Sequence, residues 1–379
     1  MNTKNTLSII ATALIITACG GGGGGAPYNP PVATPTTTPS ATPVPATPTS
    51  TPAVGSVAKG VYLDSAIEGI EYTSASKSGT TNAAGEFDYV VGEEITFKLW
   101  GRTINTTKGG SVVTPADMSV VDINKVLTVL MIVQSVDTDS NPSNGITLPV
   151  VDWNKTVTLS DGLGGTHTRT IAQIWADVDF TKDPYMARTT NASGYMASFV
   201  HAVTGKEPVG LQTAADHFAE TIGKVTSDVV LSLAGKTATS VVTADKCDVG
   251  GGGAGYTYTF GSTGYTKVGN TIMPSMSYGV ITCGLSAVNS TYVYGDANEE
   301  NRSIPCGTDC KYSEINRMHY QPNTKQTGEF ITLTWYNADV KTLTFVRMWI
   351  STNVSDPIAI AANTGRMYER QTYKEVIQF

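Results

Sequence analysis

Asp137, Asp139, Asn141 and Asn144 alternate along Val136-Asp137-Thr138-Asp139-Ser140-Asn141-Pro142-Ser143-Asn144-Gly145. Carboxylate and amide oxygens at i, i+2 and i+4 can converge on one hard cation, and Ca²⁺ suits such an oxygen set. Pro142 stands where a tight Ca²⁺ loop needs Gly, however, and no Glu occupies the twelfth position. Asx-turns that close the preceding segment are the alternative for the same residues. His217 and Glu220, three apart, can share a helical face suited to acid–base or metal chemistry, or form a solvated pair. Glu93-Glu94, Asp177 with Asp179, and Glu299-Glu300 supply paired carboxylates, but glycoside hydrolysis needs a carboxylate separation that only a fold can set. There is no Gly-x-Ser-x-Gly elbow, no His-Glu-x-x-His helix and no Cys-x-x-Cys-His haem motif. Gly235-Lys236-Thr237 copies the end of a phosphate loop, with Val230 in place of its first Gly. These residues predict a chain without catalysis.

The elements that position these groups begin with a leader. Lys4 precedes an apolar run from Leu7 to Ile16, which is too short to span a bilayer as a mature helix. Ile16-Thr17-Ala18-Cys19 then resembles the bacterial lipobox. That resemblance implies cleavage before Cys19, acylation of Cys19 and attachment to a membrane through several chains, a stable anchor. Gly20 stands where the inner-membrane retention signal has Asp, so the resemblance implies an outer-membrane location, with the folded part facing the surface or the periplasm. From Gly20 to Gly55 no residue is charged, and Pro27 to Pro52 run through Thr-Pro and Ala-Thr-Pro repeats. Such a stretch buries no core; in polyproline II it is a tether reaching up to roughly 80 Å.

Residues 56–106 read as a β module. Val57 to Asp64, Gly69 to Thr73 and Gly85 to Val90 are β-prone runs, with Gly79 and Asn82 to Gly85 as turns. Gly60-Val61, Asp64-Ser65-Ala66-Ile67-Glu68-Gly69-Ile70 and Thr81-Asn82-Ala83-Ala84-Gly85-Glu86-Phe87 resemble the carboxypeptidase regulatory-like or transthyretin-like modules of bacterial surface lipoproteins and adhesins. The resemblance implies a small β-sandwich used as a spacer or binding unit, with no catalytic residues to transfer. It extends through the helix and Asp/Asn segment to about residue 150.

Residues 107–234 read as mainly helical. Ile123, Val126, Leu127, Leu130, Met131 and Gln134 recur at helical spacing behind Asp122 as N-cap. Thr170 to Val178, a segment containing Tyr195 to Val200, and a helix from Thr213 as N-cap to near Gly223 follow. Residues 235–379 return to β, with strands expected at 237–243, 256–260, 265–268, 278–283, 291–294, 314–320, 330–335 and 343–350. An antiparallel barrel or a second sandwich both fit. A barrel would offer Trp335, Tyr336, Trp349, Phe345 and Tyr294 as a cavity lining. Cys247, Cys283, Cys306 and Cys310 lie here, an even set that predicts two disulfides in an exported domain. Three pairings are possible; Cys306–Cys310 with Cys247–Cys283 is preferred because the Gly-containing five-residue segment can close locally, and a four-thiolate zinc site is the rival.

The fold class expected is therefore multidomain and mainly β with a helical middle, its segments bounded at 1–18, 19–55, 56–106, 107–234 and 235–379. A net charge of -7 disfavours a nucleic-acid partner. The function expected is non-enzymatic adhesion or binding to a surface protein or glycan by a lipid-anchored outer-membrane protein. The alternatives are a lipocalin-like carrier of a small apolar ligand and an extracytoplasmic hydrolase with a carboxylate site.

Overall fold

The computed structural model describes residues 53–160, 165–181, 196–226, 229–244, 253–277, 280–294, 304–323, 328–351 and 369–379. Cys19, Cys247, Glu299, Glu300 and most of the expected tether lie outside the described residues. The described residues belong to one compact unit.

The chain opens with β1 (Val57–Tyr62), β2 (Ile67–Glu68), β3 (Glu71–Thr73), β4 (Ser78–Thr80), β5 (Glu86–Val90), β6 (Glu94–Leu99), β7 (Arg102–Lys108) and β8 (Val112–Val113). They pair as two small sheets, β5-β1-β8 and β4-β3-β6-β7. Alternate residues of each point inward, so that Tyr62, Phe87 and Tyr89 of one sheet meet Tyr72, Ile95, Phe97 and Leu99 of the other. Phe97 sits edge-on to Phe87 at 5.0 Å between ring centres and 4.7 Å from Tyr62. Turn chemistry fixes the register. The Asn82 Oδ1 accepts from the backbone of Ala84 and Glu86, and Gly85 adopts φ +72°, which a side chain would strain. A Cβ on Gly60 would lie 2.3 Å from the Gly110 carbonyl and 2.4 Å from the Phe87 ring, so only glycine lets β1 lie so close to them.

α1 (Ile123–Val136) is capped as expected, the Asp122 carboxylate accepting from Asn124 N and Lys125 N. Its buried residues run all round the helix from Val126 to Val136, so it is a central core helix rather than an amphipathic surface one. β9 (Ile146–Thr147) pairs in parallel with β2. A hairpin of β10 (Thr156–Ser160) and β11 (Thr166–Thr170), not anticipated from the sequence, precedes α2 (Ile171–Asp177), which starts with a Thr170/Gln173 capping box. α3 (Met196–Thr204) and α4 (Leu211–Lys224) follow. α4 begins at Gly210 rather than Thr213, because its apolar stripe of Leu211, Ala214, Ala215, Phe218 and Ile222 extends one turn further back.

β12 (Val230–Ser232) leads into β13 (Thr237–Ala244), β14 (Gly255–Phe260), β15 (Gly264–Ser277) and β16 (Val280–Val293). After β17 (Asp309–Lys311), which pairs with β12, come α5 (Tyr312–Ile315), β18 (Arg317–Asn323), β19 (Gly328–Asn337), β20 (Thr342–Ser351) and β21 (Glu369–Gln378). Eight strands form one antiparallel sheet in the order β16-β15-β14-β13-β21-β20-β19-β18. It is two hairpin-linked runs of four joined by their first and last strands, β13 against β21.

This mainly β architecture matches the expected class, but the barrel does not form. Closure requires β16 to pair with β18, and among the described residues these two strands stand at opposite ends of an open sheet. The aromatics expected to share a cavity divide between its faces. Trp335 belongs with Ile331, Leu333, Val346 and Met348 to the core that continues through the helices into the sandwich, and Phe218 stacks on it at 6.2 Å. Tyr336 and Tyr294 pack against the other core, in which Tyr256, Tyr258, Phe260 and Leu343 meet Leu231, Ile304 and Ile315. Phe345 faces that second side, with its ring against Tyr373. The side chain of Trp349 lies outside the described residues.

Candidate functional site

The residues singled out for chemistry are dispersed. Asp137 accepts from Asn141 N and Thr147 N, 2.9 and 3.0 Å away, and Asp139 accepts from Asn141 N and the Asn144 side chain. The Asp/Asn loop is thus a nest of Asx-turns that joins the end of α1 to β9. Among the described residues no three His, Cys, Asp or Glu side chains gather into a group able to hold a metal. Glu93 accepts from Ser74 and Ser76, Asp177 pairs with Arg169, and Asp179 accepts from Thr181. Glu220 pairs with Lys224 one turn along α4, and His217 contacts Ser65 while remaining within electrostatic reach of Glu220. His201 faces Glu207 at 3.8 Å, and His167 lies on β11 opposite Leu159. The Cys306 and Cys310 sulfurs are bonded, and Cys283 is also in a disulfide.

Two buried polar clusters escaped the sequence reading. In the first, Gln134 of α1 donates to Asp64 Oδ2 at 2.9 Å and to the Ala214 carbonyl at 3.1 Å. Asp64 is fully buried, and burial pushes its carboxyl up to about 8 against the lowering effect of the Gln134 hydrogen bond. Ser65, at φ +60°, has its hydroxyl 3.0 Å from His217 Nε2, whose ring burial holds toward the neutral form. Asp64 Oδ1 lies 3.9 Å from that same nitrogen. A catalytic triad instead places its carboxylate on the other ring nitrogen, where it fixes the tautomer. The sequence signal was Gln134, a polar residue in an otherwise apolar helical register.

The second cluster lies within the large sheet. Lys267 of β15 donates to Glu375 of β21 at 3.0 Å, with both side chains buried. Tyr258 and Tyr373 also donate to Glu375, and the Lys267 ammonium sits 3.9 Å above the Tyr256 ring. Burial lowers the Lys267 pKa, and Glu375 opposes the shift. The pair ties β15 to β21 across the two strands between them. Its signal was Lys267 at an inward position of an alternating strand.

That ion pair lies beneath a surface of a different kind. β13 and β14 alternate strictly, with Ala238, Ser240, Val242, Tyr256, Tyr258 and Phe260 buried and Thr237, Thr239, Val241, Thr243, Thr257 and Thr259 exposed. Register carries the pattern across strands. Thr237 pairs with Thr259, Thr259 with Thr266, and Thr266 with Thr291, giving a rank of four threonines over β13 to β16. The next rank reads Thr239, Thr257, Val268 and Asn289. Adjacent strands lie about 4.8 Å apart, and successive ranks about 6.8 Å. Neither rank contains a charged residue, and Val241 and Val268 are 63% and 47% exposed. Hydroxyls and methyls repeating on a fixed lattice can hydrogen-bond and pack against a neutral surface; they offer neither a general base nor a metal ligand set.

A cavity of about 400 Å³ separates the start of α1 from the other half of this face, lined by Asp122, Asn124, Thr243, Thr372, Lys374 and neighbouring valines. Its lining is mixed, with Val120, Val121, Ile123 and Val346 beside the polar groups. No helix among the described residues is long and apolar enough to cross a membrane. Compared with family models, curated proteins and solved structures, the chain matches none.

Proposed function

We propose that this chain is a lipid-anchored protein of the bacterial outer membrane that presents its folded part on the Thr/Pro tether and binds a neutral partner, a glycan or an uncharged protein surface, without catalysis. The observation that carries this reading is the threonine rank Thr237, Thr259, Thr266 and Thr291, which with its neighbouring rank holds no charged residue, backed by the buried Lys267–Glu375 pair. The carrier alternative rests on a closed barrel, and among the described residues the large sheet does not close. Anchoring at Cys19 rests on the lipobox resemblance.

The test is binding of the full-length protein to arrayed glycans and isolated envelope polysaccharide, beside a Thr259→Lys/Thr291→Lys variant. At least about a tenfold loss of affinity in the variant, with stability changed by less than about 0.5 kcal/mol, is expected for exposed positions. Equal binding by both proteins, or none by the wild type to any neutral polymer or protein tested, would remove the reading. Protease shaving of intact cells, with a periplasmic protein as lysis control, separates surface display from a periplasmic orientation.

A second reading, an extracytoplasmic hydrolase, draws on the Ser65–His217 contact at a left-handed backbone. Labelling of Ser65 by a fluorophosphonate probe would favour it; absence of labelling removes it.

A further inference from the structure

We infer that the cavity at the start of α1 is a pocket for the terminal sugar of a neutral glycan. The cavity lies at the end of the outward row of β13, Thr237, Thr239, Val241 and Thr243, since Thr243 belongs both to that row and to the cavity wall. The row is about 20 Å long. Lys374 of β21 pairs with Thr243 in the sheet, and Asp122 and Asn124 contribute from the entrance of α1. At about 400 Å³ the space falls within the range of small-molecule pockets, about 300 to 1,000 Å³.

The polar groups of the wall have unused hydrogen-bonding capacity. Asp122 uses Oδ1 for the α1 cap, accepting from Asn124 N and Lys125 N, and its Oδ2 has no hydrogen bond among the described residues. Lys374 donates one hydrogen bond, to the Val121 carbonyl at 2.9 Å, which leaves two N–H groups. Burial lowers the Lys374 pKa and Asp122 opposes the shift, yet among the described residues the two charges do not close into an ion pair. Asn124 Oδ1 and Thr372 Oγ1, both of residues in the wall, are buried without a hydrogen-bond partner among the described residues. Unsatisfied groups gathered at one cavity call for an occupant that forms hydrogen bonds. The mixture selects its chemistry. Asp122 and the Asn124 oxygen only accept, Lys374 only donates, and threonine hydroxyls do both. An inorganic anion would face the Asp122 carboxylate, and a cation would face Lys374. Hydroxyl groups donate and accept at once, so a sugar matches both kinds of group, and its C–H face packs against Val120 and its apolar neighbours. A free amino acid satisfies the same groups through full charges, but the uncharged row that leads into the cavity favours the sugar. The inference rests on the glycan form of the binding reading above.

Ligand-observed NMR titration of the full-length protein in detergent tests the pocket, with glucose, galactose, mannose, N-acetylglucosamine and glycine as separate probes. At least one sugar is expected to bind with a dissociation constant of about 1 mM, the weak affinity of a single ring. Thr243→Trp, at an exposed strand position, fills the mouth of the cavity, and Lys374→Met removes its donor. Each is expected to weaken sugar binding at least about tenfold. Thr243→Trp decides alone where Lys374→Met fails to fold. No saturable binding of any of these sugars up to about 100 mM, a hundredfold above that constant, overturns the inference. So does equal binding by the wild type and Thr243→Trp, or tighter binding of glycine than of every sugar. Polymer binding that Thr259→Lys/Thr291→Lys abolishes, with no sugar in the cavity, sinks the pocket alone. Sugar binding that Thr243→Trp blocks, with no polymer bound, sinks the reading built on the threonine rank and leaves the pocket.

Discussion

The Gln134 amide donates to Asp64 across seventy residues of sequence, at 2.9 Å, and joins the central helix to the sandwich at a point with no solvent access. Gln134 also donates to Ala214 of α4, so one side chain links three elements. The remaining oxygens of the pair, Asp64 Oδ1 and Gln134 Oε1, have no hydrogen-bond partner among the described residues. Such an arrangement favours a neutral Asp64, and stability at this junction follows its proton.

Stability should fall as pH rises through this junction's titration. Folding raises the Asp64 pKa from 3.8 to about 8, so the native state holds one proton more than the unfolded chain between those values. The stabilisation is complete below the unfolded pKa and is lost as pH rises to about 8, with a slope of at most ~1.4 kcal/mol per pH unit. Thermal unfolding of Asp64→Asn from pH 5 to 9 should give a flatter profile above pH 6 than the wild type. A slope below pH 6 should remain, because burial also raises Asp117 to about 6 despite hydrogen bonds from Thr114 and Trp335. Superimposable profiles of the two proteins above pH 6 would refute the assignment.

Lys267→Met should destabilise the sheet by about 3 to 5 kcal/mol, because it leaves Glu375 charged and buried without its cation. Adding Glu375→Gln should restore a large part of the loss. A double-mutant cycle from denaturant unfolding measures the coupling, and additive single effects would mean that the pair is not coupled.

Replacing both Cys306 and Cys310 by Ala should cost about 2 kcal/mol, the loop entropy of a five-residue ring, plus the packing of two buried sulfurs. Because the ring is local, the loss should appear first as faster hydrogen exchange in β12, β17 and α5, with the sandwich module unaffected. Uniform loosening of the whole chain would contradict this.

Asp137→Ala should loosen the turn between α1 and β9, since it removes the acceptor for Thr147 N and one of the two acceptors for Asn141 N, which keeps Asp139. A loss of about 1 to 3 kcal/mol is expected from two buried or half-buried hydrogen bonds. Thermal unfolding of both proteins with excess Ca²⁺ and with chelator separates the contribution of the turns from that of an ion. A variant as stable as the wild type would show that these hydrogen bonds contribute little.

What could be read from the sequence was local. The Asp122 cap, the register of α1, the Asn82–Gly85 turn and the Thr170 helix start each depend on residues within a few positions of one another. Strand existence was legible on the same terms, since β13 and β14 alternate every second residue. The runs 278–283 and 291–294 looked separate because Gly284 and Asn289 resemble turn residues, yet β15 pairs with both and the intervening residues as one strand. β21 was not expected; it is fixed between the preceding strand β20 and β13, a strand far away in the chain.

The sequence by itself determined that the chain is mainly β with a helical middle, where caps such as Asp122 and turns such as Asn82–Gly85 fall, and that strands such as β13 and β14 have one apolar side. Tertiary structure decided that the large sheet stays open, that the expected cavity aromatics separate onto opposite faces, and that Thr237, Thr259, Thr266 and Thr291 align. The reason is physical. Alternation fixes the face that a side chain takes within its own strand, but alignment between strands depends on pairings such as β13 with β21 and contacts such as Lys267 with Glu375, 108 residues apart. No local propensity encodes those distances, and only the folded chain supplies them.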